Sequence, residues 1–175
     1  MTEKQQQILS SAQKLFAVEG VTAVSTARIA KEAGVSEALI FRHFGNKNKL
    51  VDAVVKTGLS VKSSIINGAL HSPDPVSLIR AVLSIPTDVY DNYNKFLPWV
   101  AQLRAARDLS IEISSNSFVR ERLVWAVSQI GHGRPEAVAH TIERVVDQAV
   151  ESGFIGEHSE ANNLSLGLRE LLINE

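Results

Sequence analysis

The stretch 20–50, GVTAVSTARIAKEAGVSEALIFRHFGNKNKL, reads as two short helices joined by a glycine turn, with a third helix start just after them. Two helices that cross steeply need a small residue at their contact, and Ala30 supplies one. The turn needs a residue that tolerates positive φ, and Gly34 follows four positions later. The second helix must then be pinned by an apolar residue, and Ile40 stands six positions after the glycine. Ser25 or Thr26 can cap the first helix, which reaches about Ala33; Ser36 caps the second, which reaches about Phe44. Asn46 caps the helix that follows. This is the layout of a helix-turn-helix.

Upstream, Ile8, Leu9, Ala12, Leu15 and Phe16 recur at helical spacing, and Gly20 ends that helix. With Ile29, Ala33, Val35 and Phe44, Leu15 and Phe16 make a small core. Downstream the pattern stays helical. Leu50, Ala53, Val54 and Val61 share one face of a long helix that passes Gly58 towards Asn67. HSPDP (71–75) is a break, with a helix starting near Asp74 or Pro75. Pro86 and Pro98 must each kink a helix or begin one. Residues 87–109 and 115–130 read as two helices, and Pro135 suits a first helical position after the loop GHGRP. A stripe from Val138 to Ala149 ends at Gly153, and a second runs through Ala161, Leu164, Leu168, Leu171 and Leu172. The expected fold is all-α: a three-helix DNA-binding head over residues 1–47, with a fourth helix from about 46 as tether, and a larger helical domain over 48–175.

Of the 175 residues, 45% are hydrophobic and none is cysteine, so a packed core is feasible and disulfides and thiolate metal sites are excluded. No apolar run is long enough for a bilayer, and the N-terminus lacks a secretory apolar segment, so a cytoplasmic location is expected. The net charge of −1 conceals a gradient. Residues 1–56 hold eight basic and five acidic side chains, and the remainder hold ten and fourteen. A basic head on an acidic body suits contact with DNA through the head alone. An enzyme is not expected: there is no glycine-rich phosphate loop, and the histidines at 43, 71, 132, 140 and 158 lack metal-ligand spacing. No metal or cofactor is expected.

Once the apolar residues turn inward, Ser36, Glu37, Ala38, Leu39, Arg42 and His43 are left near the exposed side of the second helix of the motif, whose N-terminal end faces base edges in a major groove. Ser25, Thr26, Arg28 and Lys47 lie at helix starts, where hydroxyls, N–H groups and cations favour phosphate. The run ILSSAQKLFAVEG, then IAKEAGVS, then FRHF, Lys47 and Leu50 resembles the N-terminal domain of TetR-type (TetR/AcrR) transcriptional regulators. The resemblance implies that Ser25 takes a phosphate-contacting position, and that Phe41 stands where a tyrosine hydroxyl is usual. His43 and Lys47 match positions near the DNA backbone. Leu39 can touch only a thymine methyl, and Glu37 repels phosphate unless it accepts from cytosine. Arg42 is the strongest candidate contact, to phosphate or guanine.

The resemblance further implies a ligand-responsive repressor that binds a palindromic operator on double-stranded DNA as a homodimer. The two C-terminal stripes, Val138, Ile142, Val145, Val146 and Ala149 with Leu164, Gly167, Leu168 and Leu171, are the candidate dimer interface. Phe96, Trp99, Arg104, Phe118 and Trp125, with Tyr90 and Tyr93 nearby, are candidates to line a pocket for a small apolar effector; ordinary core packing accounts for the aromatics equally well. The alternative function is a helical protein-interaction module without sequence-specific DNA binding.

Overall fold

A computed structural model describes residues 1–89, 91–112 and 116–173; the side chains of His158, Ala161 and Asn162 also fall outside that description, as does Tyr90. Nine α-helices and one short 3-10 helix make up the described regular structure, with no strand among the described residues. They are α1 (Glu3–Glu19), α2 (Thr26–Glu32), α3 (Glu37–Phe44), α4 (Lys47–Ala69), α5 (Pro75–Ser84), a 3-10 helix (Ile85–Asp88), α6 (Tyr93–Asp108), α7 (Ser117–Gln129), α8 (Pro135–Phe154) and α9 (His158–Ile173). Among the described residues no helix is long and apolar enough to cross a membrane.

The chain forms two compact units, and the division differs from the boundary expected after residue 47. The first unit comprises 1–61 together with 97–113, and the second comprises 62–96 and 114–175. Helices α4 and α6 each contribute to both. The head recruits the C-terminal part of α6 because polar bonds and a glycine contact tie the two together, as described below.

In the first unit, α1 opens with a capping box: the Thr2 hydroxyl accepts from the Gln5 N–H, and the Gln5 side chain accepts from the Thr2 N–H. Ile8, Leu9, Ala12, Leu15 and Phe16 all turn inward, joined by Ile29, Ala30, Ile40, Leu50 and Val54. Ala33, Val35 and Phe44, expected in the same core, are half-buried.

In the second unit, α8 packs against α7 and α9, and α5 against α7 and α9. Asp74 caps α5 by accepting from the Ser77 N–H at 2.7 Å, and Pro75 and Pro135 occupy first helical turns, where their missing N–H has no partner to lose. The core holds Leu78, Ile79, Val82, Leu83, Leu123, Ile142 and Val146. Polar pairs fasten its flanks: Lys62 Nζ lies 2.7 Å from both carboxylate oxygens of Asp147, and Arg120 Nε donates to Glu143 at 2.6 Å. Pro86 lies in the first turn of the 3-10 helix, α6 starts at Tyr93 rather than at 87, and Pro98 lies inside α6. Gly153 remains helical and buried; Gly156, at φ +93°, makes the turn after α8.

Candidate nucleic-acid interface

Each joint of the helix-turn-helix has a local cause. Ser25 Oγ accepts from the Arg28 N–H at 3.1 Å and begins α2. Gly34 sits at φ +63°, in the left-handed region, and the chain reverses there while the Val35 N–H bonds the Ala30 carbonyl at 3.0 Å. Ser36 Oγ then accepts from the Leu39 N–H at 3.3 Å to begin α3. Gly45, at φ +83°, ends α3, and Asn46 Oδ1 accepts from the Lys49 N–H at 2.9 Å at the start of α4. Ala30 is nearly buried where α2 meets its neighbours, and Ile40 is fully buried.

Ser25, Arg28, Ser36, Ala38, Phe41 and Arg42 are exposed, and Thr26, Glu37, Leu39, His43 and Lys47 are half-buried. Phe41 leaves 44% of its surface in solvent, a partly exposed aromatic face on the motif. Arg42 has no recorded ion-pair partner among the described residues, so its guanidinium is available. Arg28 is different: its guanidinium lies 3.4 Å from Glu19 at the end of α1. His43 makes no recorded bond to the start of α4 among the described residues; Asn46 does that capping.

Two of the expected contacts have structural partners. Thr26 Oγ1 donates to Glu37 Oε1, joining the first residue of α2 to the first residue of α3. Lys47 Nζ donates to the Val21 carbonyl at 2.7 Å. That lysine therefore braces the α1–α2 loop, and two of its three N–H bonds remain for an anion.

Val21 also reveals what sequence reading missed. It is buried, and its N–H donates to Asp108 Oδ2 at 2.7 Å, so the main-chain N–H and carbonyl of this one residue are each bonded by a side chain, from α6 and α4, the carbonyl also accepting from the Val24 N–H at 3.4 Å. Gly20, at φ +82°, gives Asp108 room: a Cβ there would stand 2.6 Å from the same oxygen. Arg104 Nη2 donates to the Val18 carbonyl at 3.2 Å. One signal was available. A carboxylate in the last turn of a helix, as Asp108 is in α6, opposes the helix dipole and calls for a donor elsewhere.

The residues expected to line a pocket are not grouped in one unit. Trp99 and Arg104 lie in the first unit, while Phe96, Phe118 and Trp125 lie in the second. Phe96 and Trp99 are fully buried. Phe118 is 53% exposed, because Val119, Leu123 and Ala126 take the inward face of α7. The Arg104 guanidinium bonds the end of α1. Trp125 is half-buried with the Arg122 guanidinium 4.4 Å over its ring.

The C-terminal stripes divide by depth. Ile142, Val146 and Ala149 are fully buried in the chain's own core, which corrects their expected place at an interface. Val138, Val145, Leu164, Gly167 and Leu168 are half-buried, and Leu171 is 76% exposed.

Comparisons with known proteins agree with this geometry. Residues 8–54 match the family described as bacterial regulatory proteins, tetR family. The nucleoid occlusion factor SlmA of Vibrio campbellii is 33% identical over 86 residues, 48% of this chain and 44% of that protein. The HTH-type transcriptional repressor Rv3405c of Mycobacterium tuberculosis is 40% identical over 76 residues, 43% of this chain and 38% of its own length. The chain thus spans less than half the length of these two relatives. Among solved structures, SCO4454, a TetR-family transcriptional regulator from Streptomyces coelicolor, superposes with a TM-score of 0.76 at 21% identity, covering 98% of this chain and 95% of that one. AibR, solved with isovaleryl coenzyme A and operator DNA, gives a TM-score of 0.75 at 18% identity, covering 97% and 98%. At such identities these two speak for the fold. Residues 8–54 thus match the tetR family of bacterial regulatory proteins, and the helical fold along nearly the whole chain is that of solved TetR-family regulators.

Proposed function

We propose that this protein is a cytoplasmic, DNA-binding transcriptional repressor that occupies a palindromic operator as a homodimer and releases it when a small apolar effector binds. The observation that carries the reading is the capped α2–turn–α3 unit inside the matched residues 8–54, with Arg42 and Phe41 on its open face. A single head buries too little surface for tight specific binding, and two heads spaced about one turn of DNA remedy this. The exposed Leu171 and the half-buried Val138, Val145, Leu164, Gly167 and Leu168 support a pairing surface on α8 and α9. The effector is supported by the fold shared with AibR, a structure that holds both isovaleryl coenzyme A and operator DNA. Such a ligand acts only through its different affinity for the DNA-bound and released states.

Selection of genomic fragments by the purified protein tests this. The expected result is a roughly palindromic site with half-sites about 10 base pairs apart, or a multiple of that, bound with an affinity that falls steeply as salt rises. Enrichment of no sequence, or binding indifferent to salt, overturns the reading in favour of a protein-interaction module.

A further inference from the structure

We infer that Glu37 selects a cytosine in each operator half-site and that Thr26 positions its carboxylate to do so, an inference that rests on the DNA-binding reading above. The helix dipole favours a carboxylate in the first turn of α3, which accounts for an acid at this position. It does not account for the bond across the motif to the Thr26 hydroxyl. That donor is neutral, and among the described residues no cation is ion-paired with Glu37. One oxygen is held by Thr26, and Oε2 keeps its lone pairs for another donor.

The neighbours leave this end of α3 to Glu37. Ser36 Oγ accepts from the Leu39 N–H and keeps its O–H to donate, and the side chains of Ala38 and Leu39 form no hydrogen bonds, so Glu37 is the one carboxylate acceptor at this end. A carboxylate cannot accept from phosphate and is repelled by it. Its favourable partners in the major groove are base amino groups, on cytosine N4 and adenine N6. Adenine sets the acceptor N7 beside its amino group, where it repels the second carboxylate oxygen. Cytosine sets a C–H there, so cytosine is the better match. The Thr26 bond also holds the side chain in one rotamer, which sharpens the choice because less freedom is lost on contact.

In vitro selection from random duplexes with wild type, Glu37→Gln and Thr26→Val tests this. The wild type is expected to select cytosine at one position per half-site, with other bases there weaker by about fivefold to a hundredfold. Glu37→Gln keeps an acceptor for Thr26 and the shape of the side chain, and should move the preference at that position to adenine, which glutamine reads through N6 and N7. Thr26→Val should keep cytosine with a smaller preference. A wild-type site without a selected cytosine, or a Glu37→Gln site identical to the wild-type one, overturns the role of Glu37. Thr26→Val selecting as sharply as wild type overturns the role of Thr26. A wild type that enriches no sequence overturns the DNA-binding reading itself, which separates the two failures.

Discussion

Two helical glycines separate the two compact units. Gly58, on the part of α4 that belongs with the head, is buried, and a Cβ there would stand 2.2 Å from Gln102 Cβ and 2.4 Å from the Pro98 carbonyl oxygen of α6. Gly167, on α9 of the second unit, would carry a Cβ with nothing within 4 Å. One glycine is there because a neighbouring helix backbone occupies the space. The other is open among the described residues of its own chain. Close approach of a second copy at Gly167, as proposed for the pairing surface, would give its smallness a use that the head's glycine already has within one chain.

The largest effect is expected where that contrast is sharpest. Gly58→Ala should destabilise the protein by about 2–3 kcal/mol, because both obstructing atoms belong to backbone or Cβ positions that move only with their helix. Gly167→Ala should leave the protomer unchanged or more stable by up to about 1 kcal/mol through helix propensity. Thermal unfolding of both variants checks the first half. Sedimentation of Gly167→Ala checks the second: if α9 forms the pairing surface through close approach at Gly167, this variant dimerises more weakly despite a stable fold. A tolerated Gly58→Ala would break the comparison at its first term.

A smaller effect divides the two cations assigned to DNA. Arg42 lies exposed without a recorded ion-pair partner among the described residues, whereas Lys47 holds the buried Val21 carbonyl. Arg42→Ala should weaken operator binding about tenfold or more with no change in melting temperature, since a charge-assisted contact contributes about 1.5–3 kcal/mol. Lys47→Ala should weaken binding and also destabilise the head by about 1–2 kcal/mol, because the Val21 carbonyl loses a partner in a buried place. Titration of labelled operator alongside unfolding curves distinguishes them. Equal melting temperatures for the two variants would remove the structural role of Lys47.

These contrasts track what was legible in the sequence. The caps at Ser25, Ser36 and Asn46 and the turn at Gly34 are written in residues three or four apart, and each forms as expected. The same locality explains the inward stripe of α8. It fails for the contacts that close the head: Asp108 meets Val21 across 87 positions, and no periodicity or spacing announces such a pair. Gly58 carried no mark either, because a glycine inside a helical pattern looks alike whether a backbone or solvent faces it. The exposure of Phe118 was hidden for a related reason. Aromatic residues cluster in the middle of the chain, but which of them turn inward depends on the face that Val119, Leu123 and Ala126 select.

The smallest effect concerns two carboxylates whose protonation is displaced in opposite directions. In the head, Glu32 is held below the ordinary glutamate range, chiefly because the Lys14 ammonium hydrogen-bonds it at 2.7 Å and attracts it. In the second unit, Glu157 is pushed above that range, first by sharing a hydrogen bond with the Glu160 side chain and then by burial and the charge of Glu160. A carboxyl whose value is depressed by folding adds stability above the ordinary value near 4.3, and this is lost as pH falls through the depressed one. A carboxyl whose value is raised adds stability that is full below the ordinary value and is lost as pH rises through the raised one. Acidification from neutrality should therefore protonate Glu157 before Glu32, the first event favouring the fold locally and the second loosening the head; Asp74 of the second unit, held low by its bond from Ser77, follows Glu32 in direction. Both groups are solvated, so the changes are small and are best read by carboxyl carbon shifts in NMR. Lys14→Met should raise the Glu32 titration towards the ordinary value, and Glu160→Gln should lower that of Glu157. If Glu32 titrates at or above Glu157 in the unmodified protein, the two units do not differ in this respect, and their response to acid must have another origin.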